Sequence, residues 1–431
     1  MKKNKNAFTL IELLAVIAIL AVILVIAIPR ILDVIETSKK DSFKNAAQLI
    51  ADSAEKKKAS NKLLDKDEEI ICKDVAKIND EDYKSCIISF DSEGNAKVSI
   101  TGKGKFGGLK ITNGTKENAE VKEITKPTYG MKATEYITNL LEYDGEGLKI
   151  DNTSDQNIRY YGSNPDNYVS FNNELWRIIG VFGDNVKLVR SESLGSLSWD
   201  TSESSVNGGY GVNEWSQADL QVYLNKMYYG GTTVTCYGGS NNTTTCPTNK
   251  LDDASKTLID NHLWNTGAID ETDTTIVNQE TFALNTVPFY NAERGNVTGK
   301  ICNGGGRCND TVERATTWTG YIGLPYATDY AYASSESICE TNMQKQDSSN
   351  AYICKNNNWM FKPNTWYWTM SPRARASDAS LVWIVRVDGL TGDSPASFAN
   401  AVFPAIYLKS DILIESGTGT SSDPYILKAS A

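Results

Sequence analysis

Residues Phe8–Ile28 make a 21-residue run in which every side chain is apolar except Thr9 and Glu12. Few features restrict a chain more, because a helix of that length rises about 31 Å, enough to cross a bilayer core. The run therefore predicts a long N-terminal helix with a transmembrane half over residues 8–28. Glu12 is its most informative residue: an ionisable group inside a span costs roughly 2.5 to 3.5 kcal/mol on insertion scales, so it marks a function and a partner. Lys2, Lys3 and Lys5 precede the run. The positive-inside rule holds them in the cytoplasm and sends the chain beyond Arg30 to the far side, giving a single-pass membrane protein with extracytoplasmic domains. The alternative is a cleaved secretory signal ending at Val25-Ile26-Ala27. That reading accounts for neither the length of the run nor a glutamate near its start.

The string Phe8-Thr9-Leu10-Ile11-Glu12-Leu13-Leu14 resembles the start of the type IV pilin family, and the resemblance extends over residues 1–55. It implies a leader over 1–7, cut by a prepilin peptidase between Ala7 and Phe8, and N-methylation of the new terminal Phe8. It also implies an assembly role for Glu12 and Thr9, the carboxylate pairing with the terminal amine of a neighbouring pilin subunit. A desolvated pair of that kind favours register more than raw stability. Ala7 stands where pilin leaders usually end in glycine, another small residue. Pro29 closes the apolar run, and its missing N–H and ring predict a kink. Beyond it Ile31, Ile35, Phe43, Ala47, Ile50 and Ala54 recur at helical spacing, so an amphipathic half continues to about residue 60.

The net charge of −10 argues against nucleic-acid binding through the bulk surface. Length suggests two or three domains. Residues 61–125 read as a small β-rich head, with strand-like runs at 87–90, 96–100 and 108–111 separated by turns at 91–95 and 101–105. Residues 113–127 are polar and read as a linker, and a short helix is predicted over Ala133–Tyr143. Residues 151–431 read as a larger β-rich surface domain, beginning with strands at 168–171, 175–182 and 186–190. A helix over 215–225 is predicted, with Ser216 as its N-cap. The expected fold class is α+β: a long transmembrane helix with a small antiparallel pilin-like head, then a β-rich domain. Eight cysteines follow the apolar run, and an even count in an exported chain reads as disulfides. Pairing of neighbours would join Cys72 to Cys86, Cys236 to Cys246, Cys302 to Cys308 and Cys339 to Cys354. Zinc is the competing reading, but no C-x-x-C occurs and the single histidine, His262, has no ligand spacing to a cysteine.

The order of aromatic, β-rich segments over 155–430 resembles bacterial surface domains with a C-type-lectin-like or formylglycine-generating-enzyme-like fold. Trp359, Trp366, Trp368 and Trp383 are candidates for a platform that stacks on a surface carbohydrate or protein ligand, against the plainer reading that they are core. Asp151, Asn152, Ser154 and Asp155 are candidate calcium oxygens without the glycine and distal glutamate of an EF-hand. No phosphate loop, nucleophile elbow or nucleophile–histidine pair occurs, so neither an enzyme nor a cofactor or metal is expected. The reading is a pilin-like structural subunit on the pilus or cell surface, minor or adhesive because a bulky head would crowd a filament of identical copies. Two alternatives stay open: a pseudopilin of a type II secretion or DNA-uptake system, and a membrane-anchored carbohydrate-binding protein that never polymerises.

Overall fold

One helix runs without interruption from Leu10 to Leu63 in the computed structural model, which describes residues 10–66, 68–76, 81–143, 145–202, 211–270, 272–278, 283–295, 310–344 and 349–430. Pro29 lies inside this helix, which is continuous through it. The expected transmembrane half is corrected here: among the described residues no helix is long and apolar enough to cross a membrane. Apart from Leu14, the helix side chains that are described begin at Arg30, where exposed Arg30, Asp33, Glu36 and Asp41 recur every three to five residues. Such spacing leaves no apolar window of bilayer length. The fold class is corrected accordingly, to a helix followed by a largely β-rich chain with several sheets.

Contacts group the chain into two units, residues 1–126 with 142–144, and residues 127–141 with 145–431. In the first, four antiparallel strands lie in sequence order: Tyr83–Phe90, Ala96–Gly102, Leu109–Gly114 and Lys122–Glu123. Residues Ala96, Val98 and Ile100 alternate inward along the second strand and meet the helix face of Phe43, Ala47, Ile50, Ala51 and Ala54. Three alanines on that face let the helix approach the sheet closely, and Phe43 packs between Tyr83 and Phe106. The fourth strand falls where a linker was expected; Ala119 and Ile124 beside it are buried. A Cys72–Cys86 disulfide ties the segment after the helix to the first strand. Closing a loop of this size constrains the unfolded chain by about 3 kcal/mol. The double variant Cys72→Ala, Cys86→Ala should therefore lose hydrogen-exchange protection in strand Tyr83–Phe90 at lower urea; unchanged protection would show the bridge to be dispensable.

In the second unit the strands that position everything else form a mixed sheet. Its order is Ile322–Gly323, Ala405–Tyr407, Asn185–Arg190, Glu174–Phe182, Tyr168–Phe171, Tyr425–Ala429 and Ile412–Ser416. The hairpin Tyr168–Phe171 to Glu174–Phe182 turns on Asn172 and Asn173, both at φ 57°, the left-handed pair that a two-residue primed turn needs. A second sheet is built on Tyr367–Ala374, flanked by Leu381–Val385 and, in parallel, by Ile269–Asp270. The first two are buried on both faces; Leu381–Val385 reads accordingly as a continuous apolar run, whereas Tyr367–Ala374 buries Thr369 and Ser371, whose hydroxyls donate to the Trp383 carbonyl and to Glu293. Helix Ala133–Tyr143 forms as predicted and buries Tyr136 and Ile137. The helix expected over 215–225 does not start at Ser216. A short turn over Trp215–Gln217 is capped by the Glu214 carboxylate, Ala218 interrupts it at φ −60° and ψ 139°, and a separate helical stretch begins at Asp219. Cys236–Cys246 and Cys339–Cys354 are disulfides in this unit, whereas Cys302 and Cys308 lie outside the described residues.

Candidate functional site

Ala7, Phe8 and Thr9 lie outside the described residues, and of Glu12 only the helical backbone is described. Further along the same helix the expected single apolar stripe divides in two. Phe43, Ala47, Ile50 and Ala54 are covered by the sheet, but Ile31, Val34 and Ile35 are 56%, 68% and 58% exposed. Three- and four-residue spacing puts these three on one face. Coverage starts near Lys39, whose Nζ donates to the carbonyl of Gly107 at 2.7 Å, so the turns before it have no sheet beneath them.

The second unit carries its charges inside. Asp329 accepts from Arg159 Nη1 and from Lys187 Nζ, each at 2.6 Å, and Asp151 accepts from Arg159 Nε at 2.8 Å, all fully buried. Burial by itself would raise the Asp329 carboxyl, but the charges of Lys187 and Arg159 more than offset it and hold it below the ordinary range. For Lys187 burial wins, and its ammonium is pushed down to about 8 despite its carboxylate partner. The Arg159 guanidinium lies over the rings of Phe182 and Tyr332, 4.3 and 5.0 Å from their centroids. Near this group Glu293 is wholly buried and accepts from the hydroxyls of Thr328 and Ser371; burial raises its carboxyl to about 7.

This network settles the candidate calcium oxygens. Asp151 is held by Arg159, Thr153 and Asn157, and Asp155 accepts from Tyr290 and lies 3.5 Å from Arg294. Both carboxylates thus already face cations or donors of the protein itself. His262 is on strand His262–Asn265, stacked on Tyr407 at 3.7 Å and bonded through Nδ1 to Asp260 at 2.9 Å; burial lowers its pKa. It is a packed ring, held by Tyr407 on one face and by the Asp260 carboxylate at its edge.

Of the four tryptophans proposed as a platform, Trp359, Trp368 and Trp383 are buried and only Trp366 is substantially exposed, at 45%. The indoles of Trp359 and Trp368 donate to the carbonyls of Tyr160 and Leu197, which is how a buried tryptophan satisfies its N–H. They therefore present no common outer face. Sequence reasoning passed over Glu293, since it is a lone charge in an unremarkable segment and acquires meaning only from distant neighbours.

Residues 2–28 match the family model described as a prokaryotic N-terminal methylation motif. The motif indicates a type IV pilin-like or pseudopilin protein. It suggests processing by a prepilin peptidase, assembly with other pilin subunits, membrane association and surface assembly. Neither a curated protein nor a solved structure matches the chain, so the lectin-like or formylglycine-generating-enzyme-like likeness of the C-terminal part finds no counterpart.

Proposed function

We propose that this pilin-like or pseudopilin chain is a minor, surface-displayed subunit that joins a pilus through its N-terminal helix and carries the larger unit as an adhesive head. The observation that carries this reading is the conjunction of the methylation motif at residues 2–28 with an exposed apolar face, Ile31, Val34 and Ile35, further along the same helix. Helices with such faces bury them against one another. A second unit of about 300 residues favours few copies per filament. Glu12, in the motif, is the residue that would neutralise the amine exposed on Phe8 by cleavage.

Mass spectrometry of the protein from its native host tests this, comparing wild type with Glu12→Ala. N-methylated Phe8 is expected in both, with the variant absent from sheared filaments. Sparse labelling of wild-type filaments fits the minor role, and uniform decoration contradicts it. A mature chain starting at Met1 or Ile28 sinks the assembly reading altogether.

A further inference from the structure

A strand at the edge of a sheet carries a row of unpaired backbone groups, which proteins guard with proline, charge or a covering segment. In the first unit the edge strand Tyr83–Phe90 is guarded over only part of its length. The bond from the Asp91 N–H to the Asn95 carbonyl fixes its register against Ala96–Gly102. Ile87 and Ser89 then bond to that neighbour, and the N–H and C=O of Ile88 and Phe90 point away from it. Among the described residues these four groups have no hydrogen-bond partner. The Cys72–Cys86 disulfide, with Cα atoms 6.1 Å apart, lays a second segment beside the earlier part of the strand. From Cys86 to Phe90 there is neither a charge nor a proline, and Ile87 is 63% exposed.

The unguarded edge borders a cleft of about 490 Å³. Stretch 68–70 and the end of the long helix, from Lys58 to Lys62, are its other walls. Phe43 stacks on Tyr83 at the start of the strand, and Lys58 Nζ lies 3.9 Å from the ring centre of Phe90 at its end, so helix and strand run side by side in the same direction. A further strand on this edge would follow the helix, its alternate side chains about 6.6 Å apart against the roughly 6 Å from Lys58 to Lys62. Its inward side chains would meet Ile70, Ile88 and Phe90 and then the two ammonium groups. Neither lysine forms an ion pair among the described residues, whereas Lys66 has Glu68 at 3.7 Å. Asp65 and Glu69, exposed in the same lining, limit the occupant to a single acid rather than an acidic run.

We propose that this cleft receives an extended segment of a different polypeptide, added as a fifth strand beside Ile88 and Phe90, with apolar residues inward and one acid at Lys58 and Lys62. Only a peptide backbone offers donors and acceptors in the alternation that the open edge presents, and the side-chain contacts select among such segments. A second copy of this chain is the poorer occupant, because pairing the same edge about a two-fold axis would bring Lys58 and Lys62 of the two chains together.

The probe is an acetylated, amidated peptide, Thr-Glu-Thr-Val-Thr-Val-Thr, whose glutamate and valines share one face. It is added at millimolar concentration to the full chain, with hydrogen exchange read at single residues. Without it, Ile88 and Phe90 should exchange freely while Ile87 and Ser89, bonded to the neighbouring strand, are protected. With it, Ile88 and Phe90 should slow by about tenfold or more. The same peptide N-methylated on both valines keeps its side chains, loses the hydrogen bonds to the edge, and should bind at least about tenfold more weakly. Lys62→Glu, at an exposed position, should weaken binding about threefold or more with an unchanged melting temperature. Unchanged exchange at Ile88 and Phe90, equal binding of the N-methylated peptide, or an unaffected Lys62→Glu would each overturn the proposal. So would concentration-dependent dimers of the free chain that protect the same two residues, which would give the edge to a second copy.

Discussion

Replacing Asp329 with alanine should destabilise the second unit by about 3–5 kcal/mol, the penalty for leaving a buried charge without its partner. Asp329 is the shared carboxylate of Arg159 and Lys187, and all three are at most 2% exposed, so water cannot take its place. For a unit of this size the melting temperature should fall by roughly 6–20 °C. Asp329→Asn keeps the shape and can still accept from the Tyr326 N–H, which separates the loss of charge from the loss of volume. Its deficit should narrow as the pH rises from about 7 to about 9, because Lys187, already pushed down to about 8, can shed its proton once the counter-charge is gone, whereas Arg159 cannot. A variant melting within about 2 °C of wild type would mean that the network contributes little beyond its own desolvation. That outcome is known for buried ion pairs replaced by well-packed apolar groups, which is why the single removal, and not the double, is the informative change.

Glu293→Gln should do the opposite and stabilise the protein at neutral to alkaline pH. The folded carboxyl is raised to about 7 from 4.5, chiefly by burial, so the folded state binds this proton more tightly than the unfolded state does. That contribution, about 3 kcal/mol, is fully present below about pH 4.5, falls as the pH rises through about 7 and is gone by about pH 8. Glutamine imitates the protonated form, and the hydroxyls of Thr328 and Ser371 can rotate to suit its amide. Urea unfolding at pH 5 and pH 8 measures the effect. Wild type should lose stability between the two pH values where the variant loses less. Parallel pH profiles for the two proteins would assign the dependence to other groups.

How much of this was legible depends on the distance over which each feature is specified. The hairpin at Asn172–Asn173 was readable because left-handed turn residues sit between two apolar runs, a signal carried by adjacent residues. Helix Ala133–Tyr143 was readable for the same reason. The helix expected from Ser216 failed because Glu214 supplies a competing cap and Ala218 an extended backbone, two local choices the periodicity of Leu220 and Leu224 does not report. Lys122–Glu123 looked like linker because a two-residue edge strand is defined by its partner, Leu109–Gly114, not by its own composition. The tryptophan platform failed because alternation tells which side chains share a face and says nothing of what covers that face. Trp368 and Trp383 belong to a second sheet whose strands are buried on both faces, and each packs into a buried cluster.

The sequence by itself determined the N-terminal methylation motif over residues 2–28, since such a motif is one contiguous string of residues and needs no distant part of the chain to complete it. It likewise determined the short-range turns, where one or two residues decide the backbone angles. Only the tertiary structure decided that Ile31 and Ile35 stay exposed while Phe43 and Ala47, on the same helical period, are buried, because the sheet reaches one part of the helix and not the other. It alone decided that Arg159, Lys187 and Asp329 meet in the core and that Lys58 and Ile88 line one cleft. A charge is neutralised, or left without a partner, by whatever the chain folds against it, and those neighbours come from segments far apart in sequence.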